Sequence, residues 1–272
     1  MQKDQAMKRR LRFASESHAP LLQANHRHLF AQQHALRLYR QRAVYSFIPK
    51  NACSTMRYTL AVENGCITDE KDFNWIHANN GTFAADLDAL LTAEFTFVFL
   101  RCPFARIASA YLDKLVNRDR QLWDLQAHMQ YSFKPEDLTF SQFVRMLRSL
   151  PALKLDIHWR PQIDFLVYQE YDAYYRLEEF AVAQTDLKKR LDIDVLDARH
   201  LTRHGTDQYE LLDDQCHANT GPFRILGMKR NGQCPSPKSL FDEQCVEIVR
   251  TAYAEDIALY RSFFGDDGLM FS

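Results

Sequence analysis

The run Phe95 to Leu100, FTFVFL, shows neither the polar alternation of a half-exposed strand nor the period of a helix. Aromatic, apolar and β-branched residues in such a block form a strand covered on both faces, the kind found inside parallel sheets. The run stops at the polar turn Arg101-Cys102-Pro103. A second block, Ala43 to Ile48 (AVYSFI), stops in the same way at Pro49. A helix is expected after each turn: through Met56 to Val62 in the first case, and in the second from Pro103, with Ile107, Ala108, Tyr111, Leu112 and Leu115 on one face. Strand, turn and helix repeated in this order predict an α/β fold with a central parallel sheet flanked by helices.

Further along, Thr139 to Leu150 reads as helix, Tyr171 to Arg176 as another strand and Leu177 to Leu191 as a helix with a charged outer face. Asp197 to Lys238 holds most of the late Gly and Pro residues and reads as loop, and Leu240 to Phe264 reads as one long amphipathic helix. Residues 1–42, rich in Arg, Gln and His, are expected to form a peripheral helical arm, followed by a single domain over 43–272. With 46% hydrophobic and 12% aromatic residues the chain can bury a core of that size.

Lys and Arg number 34 against 35 Asp and Glu, so no overall basic field points to nucleic acid or an anionic membrane. Any anion site has to be local. The six cysteines are irregularly spaced, with no CxxC pair and no zinc-ligand pattern, which predicts reduced thiols and no metal site. The N-terminal segment has no apolar run of membrane-spanning or signal-peptide length. For a chain complete as it stands, that predicts a cytoplasmic protein without a transmembrane segment; the sequence leaves the oligomeric state open.

Two turns carry the chemistry. In Pro49-Lys50-Asn51-Ala52-Cys53-Ser54-Thr55, a strand delivers a lysine and small hydroxyl residues into a helix start, where outward N–H groups and the helix dipole favour an anion. The motif is not GxxxxGK[ST], so a nucleoside triphosphatase loop fits poorly. The simpler reading has Lys50 solvated and Ser54 or Thr55 capping the helix. In the second turn, Arg101 can grip a phosphate in fork geometry while Ser109 adds a hydroxyl; the simpler reading is an exposed strand-end arginine and a serine packed on an apolar face. Two such turns suggest one ligand with two separated anionic groups.

These residues resemble the sulfotransferases that use 3'-phosphoadenylyl sulfate (PAPS), and within them the Golgi carbohydrate branch with the chondroitin, dermatan and uronyl enzymes. Pro49 to Ser54 is similar to the family's 5'-phosphosulfate loop, and Arg101 through Ser109 to Tyr111 to its 3'-phosphate site. His158-Trp159-Arg160-Pro161-Gln162 resembles an HWxPQ signature, and Tyr253 to Tyr260 resembles the closing YxxDxxLF/Y helix. The Golgi relatives follow HWxPQ with a cysteine pair that is missing from Phe165 to Tyr171 here, which suggests a soluble, bacterial-type member in a reducing compartment.

The resemblance implies a P-loop-like fold and in-line sulfuryl transfer from PAPS to a hydroxyl acceptor, leaving 3'-phosphoadenosine 5'-phosphate (PAP). Lys50, Asn51, Ala52, Cys53, Ser54 and Thr55 would hold the 5' end, with Lys50 also stabilising the leaving group, and Arg101 and Ser109 would hold the 3'-phosphate. A histidine is the expected base. Of ten, His77 stands between the two motifs at a place similar to the catalytic histidine of uronyl 2-O-sulfotransferases; His158 is the second candidate, with a role in shaping the acceptor pocket as its alternative, and His217 is the third. Arg57 is a candidate support for the first loop, Lys114 a candidate contact to acceptor or nucleotide, and Lys229 to Gly232 a candidate late nucleotide loop. The acceptor is expected to be a carbohydrate, with a lipid, a phenol or a peptide tyrosine as alternatives. The competing functions are a P-loop-like kinase and an inactive nucleotide- or glycan-binding module.

Overall fold

A computed structural model describes residues 9–14, 21–79, 81–202, 205–206 and 208–272. Residues 1–8 and 15–20 of the expected arm lie outside the described residues. In chain order the first elements are α1 (His26–Gln33), β1 (Ala35–Leu38), β2 (Ala43–Ser46), α2 (Cys53–Glu63), α3 (Trp75–Ala78), α4 (Leu87–Thr92) and β3 (Phe95–Leu100). There follow α5 (Pro103–Ala110), which continues into a π-helical turn (Tyr111–Leu115), α6 (Arg120–His128), α7 (Phe140–Met146) and α8 (Leu150–Leu155). The last are β4 (Ala173–Arg176), α9 (Phe180–Leu191), β5 (Glu210–Leu212), α10 (Pro222–Arg230), β6 (Gln233–Pro235), α11 (Glu243–Ala252) and α12 (Ala254–Phe264). The described chain forms two compact units, one holding the residues up to Leu100 with Gln162–Leu201, the other Arg101–Pro161 with Thr202–Ser272.

In the first unit, β1, β2, β3 and β4 form a sheet in that order. β2, β3 and β4 are parallel, with Ser46 opposite Val98 and Leu100 opposite Arg176. All of β2 and all of β3 beyond Phe95 are buried, as unbroken apolar blocks require. Tyr45, Phe97, Phe99 and Tyr175 stack across the strands with ring centroids 5.1–6.4 Å apart. Met56, Leu60 and Ala61 of α2 and Ala183 and Leu187 of α9 belong to the same buried cluster.

The sheet is parallel-dominated rather than wholly parallel. β1 pairs antiparallel with β2, Ala35 opposite Ser46, because the chain between them is only the turn Tyr39–Arg42, too short for a crossover and closed by Arg42 at φ 50°. This strand and α1 lie within residues 1–42. Arg10 and Arg12 also exchange backbone hydrogen bonds with Gln169 and Val167.

The second unit buries the apolar face of α5 together with Phe140, Phe143, Trp159 and Phe241. Its late segment is more ordered than expected: Asp197–Lys238 contains α10 and the parallel pair β5–β6. The expected helix Thr139–Leu150 ends at Met146, and α8 begins only at Leu150. The expected closing helix is two, broken at Tyr253 (φ −116°, ψ 29°). That break lets the wholly buried Tyr253 hydroxyl donate to the Trp159 carbonyl at 2.5 Å.

Arg9 is tied to the sheet by Asp172, 2.7 Å away, and donates to the carbonyls of Ala93 and Glu94. Asp172 also accepts from the Thr96 amide and hydroxyl at 2.7 and 2.9 Å. Burial pushes the Asp172 carboxyl up, but Arg9 and Thr96 more than offset this and hold it below its ordinary value. A depressed carboxyl lends stability above its unfolded pKa and loses it as pH falls through the folded one. Asp172→Asn is therefore expected to cost roughly 1–3 kcal/mol at neutral pH in urea unfolding, the gap to wild type closing as pH drops below about 4.

Candidate functional site

The loop from β2 to α2 is held at its start by Phe47, whose amide donates to the His34 carbonyl at 2.8 Å and whose ring stacks on His34. Lys50 and Ala52 both take left-handed backbone, φ 72° and 54°, at a cost of order 1–3 kcal/mol each unless the surroundings enforce it. Asn51, between them, is wholly buried. No side chain caps α2 and its first turn holds no acidic residue, so neither Ser54 nor Thr55 plays the capping role of the simpler reading. Its opening amides thus point outward beside Lys50, Cys53 and Ser54, all partly exposed, while Thr55 is buried. That donor set suits a phosphate or sulfate.

Arg57, one turn into α2, is buried, with its guanidinium 5.4 Å from the Phe47 ring. Burial lowers its pKa, and among the described residues no carboxylate sits against it. Its Nη2 donates to the carbonyl of Ile76. Since His77 follows Ile76, Arg57 ties the turn bearing His77 to the helix that opens at the anion-type loop. His77 is exposed, its ring edge-on to Phe73 at 5.7 Å.

In the second unit Pro103 opens α5, and Arg101, Ala105 and Ser109, four apart, are partly exposed while the residues between them are buried. Ser109 therefore lies on the open face of the helix, not the packed one. Arg106, 1% exposed, donates to the carbonyls of Arg160 and Ile157 at 2.7 and 3.1 Å and so secures the HWRPQ segment. Trp159 is a core residue whose indole N–H donates to the Ala152 carbonyl at 2.9 Å. Beside it, Asp156 accepts from both the backbone and the Nδ1 of His158, at 2.8 and 2.6 Å. With its proton on Nδ1, the imidazole keeps its lone pair on Nε2, the arrangement of an oriented base.

The pattern that defines the sulfotransferase family matches residues 33–262. The chain belongs to the sulfotransferase family. Among curated proteins it is similar to carbohydrate sulfotransferase 14 of Danio rerio, 26% identical over 170 residues that make up 55% of this chain and 46% of the relative. The same-named proteins of Mus musculus and Homo sapiens are 28% and 29% identical over 54% of this chain and 44% of theirs. The match thus spans less than half the length of these relatives. No solved structure matches the chain.

Other residues of this sulfotransferase-family chain have structural partners. Lys114 bonds Asp119 at 2.9 Å and Asp113 at 3.2 Å, and although burial lowers its pKa the two carboxylates raise it overall. Lys229 closes α10 and donates to the Leu112 carbonyl and to Asn117, at 3.1 and 2.6 Å. His217 is fully enclosed, its Nδ1 3.1 Å from the Thr220 hydroxyl, which removes it as a base for an external substrate. No disulfide links any of the six cysteines, and among the described residues no group could hold a metal ion and no helix is long and apolar enough to cross a membrane. Sequence reasoning missed Asp156; the D-x-H spacing, which lets one carboxylate reach both the amide and the ring two residues on, was the signal to use.

The three histidines separate by stability. In thermal unfolding His77→Ala should stay within about 0.5 kcal/mol of wild type, His158→Ala should lose about 1 kcal/mol with its Asp156 bond, and His217→Ala should lose roughly 2–3 kcal/mol.

Proposed function

We propose that the chain transfers the sulfuryl group of PAPS to a hydroxyl group of a carbohydrate. The observation that carries this reading is the uncapped start of α2, reached through a left-handed turn at Lys50 and Ala52, in a chain of the sulfotransferase family. The carbohydrate comes from the name of the similar proteins. A loop between a buried parallel strand and a helix also fits the P-loop-like architecture expected of such a fold.

In this reading Lys50 to Thr55 take the 5'-phosphosulfate, and Arg101 and Ser109 take the 3'-phosphate, on the order of the motifs along the chain. The acceptor oxygen attacks sulfur as the bond from sulfur to the phosphate oxygen breaks. PAP leaves with that electron pair, Lys50 stabilises the charge gathering on the bridging oxygen, and a histidine takes the acceptor's proton. His77 is proposed for this step because Arg57 fixes its turn to the donor-loop helix. His158 is the competing assignment, favoured by the Asp156 bond that sets its tautomer. The six cysteines without a disulfide suit a reducing compartment such as the cytoplasm.

Calorimetry with PAP, ADP and ATP tests the donor. PAP should bind in preference to ADP, and Arg101→Ala should weaken PAP by roughly ten- to a hundredfold, erasing that preference. A preference for ATP would reject PAPS and favour a kinase. With an acceptor in hand, replacing the base by glutamine should lower kcat by about 10²–10⁴ and abolish the acid limb of the pH profile. That result in His158→Gln, with His77→Gln close to wild type, would reverse the assignment of the base.

A further inference from the structure

Gln162 ends the HWRPQ segment and opens the turn Gln162–Phe165, yet its side chain is 1% exposed and faces the first loop. Its Oε1 accepts from Asn51 Nδ2 at 2.6 Å, and the same nitrogen donates to the Phe99 carbonyl at 2.8 Å. β2 ends at Ser46, opposite Val98, so Phe99 lies one residue beyond the last position at which β3 pairs with β2. The Asn51 amide extends the ladder there. Both of its protons are committed, which fixes the orientation of the one residue standing between the left-handed Lys50 and Ala52.

The far end of this contact is anchored as well. Phe165, in the turn that Gln162 opens, packs on His34 at 4.8 Å and on Phe30 at 5.0 Å, and His34 is the residue that receives the Phe47 amide and stacks on its ring. The start and the middle of the loop therefore rest on one aromatic cluster. A left-handed backbone at a residue with a side chain persists where its surroundings over-determine it, and these contacts supply that condition.

We propose that Gln162 is a positioning residue for the anion-binding loop: through Asn51 it latches Lys50 and the first amides of α2 in their binding geometry. The glutamine of the HWxPQ-like motif then serves the donor rather than the acceptor. This rests on the reading of Lys50 to Thr55 as the donor loop, and the test keeps the two apart.

Hydrogen exchange of the ligand-free protein over Phe47 to Met56 reports on the latch alone. Gln162→Asn, which draws the amide back by a methylene, should raise exchange there by roughly tenfold with β3 unchanged, and Gln162→Glu, which keeps an acceptor oxygen, should return it to within about threefold of wild type. Gln162→Met, of similar volume and without the acceptor, repeats the comparison should the asparagine variant not fold. PAP affinity should fall by about tenfold in the loosened variants and recover in Gln162→Glu. Unchanged loop exchange in Gln162→Asn and Gln162→Met would overturn the latch; faster exchange with unchanged PAP affinity would overturn its positioning role. Failure of the wild type to bind PAP would instead reject the donor reading, and the exchange result would still decide the latch.

Discussion

β2 and β3 run side by side in the same direction, Ser46 opposite Val98, and apart from the first residue of β3 both strands are buried throughout. Strands without a water-facing side leave only their ends for polar chemistry. The carboxyl end of β2 leads into Lys50, and that of β3 leads into Arg101 as the next residue in the chain. The packing that makes this sheet stable thus also confines polar chemistry to the loops beyond the strand ends, and α2 begins just past the end of β2 because the chain must turn back to cover the sheet.

Arg57 shows what this arrangement costs. A buried guanidinium with a carbonyl and an aromatic ring against it, and no carboxylate among the described residues, is poorly compensated, and burial lowers its pKa accordingly. Tyr45, nearby, is wholly buried with no partner for its hydroxyl among the described residues. In the second unit the picture is different: Lys114 and Lys229 are engaged by carboxylates, a carbonyl and an amide, so their charge is spent within the fold.

The legible parts of the sequence were those with a local physical code. FTFVFL became β3 with the expected bounds because burial on both faces removes the alternation of water-facing positions, and Pro103 opened α5 because its missing N–H costs nothing there. What stayed hidden depended on contacts between distant residues or on one residue's backbone. Nothing local in Leu240 to Phe264 announces a break at Tyr253, whose partner is Trp159, and nothing around Asn51 announces Gln162. β1 escaped notice for a related reason: Ala35–Leu38 is short and its pairing depends on the turn at Arg42. Lys50, Asn51, Arg57, His77, Arg101, Ser109 and His158 could be named from motif order, whereas Asp156 and the partners that Asn51 and Arg57 make, Gln162 and the Ile76 carbonyl, needed coordinates.

The π-helical turn Tyr111–Leu115 has one more residue than an α-helical turn, and the Leu112 carbonyl within it is taken by Lys229. Removing one residue would close the turn and rotate everything after it by about 100° about the helix axis, turning Leu115 and Val116 away from the core in which both are buried. Length variation at this point is therefore discrete. A relative with a single-residue gap here would carry a different helix face into α6 and would have no use for a lysine at the end of α10, so the two features should be gained or lost together.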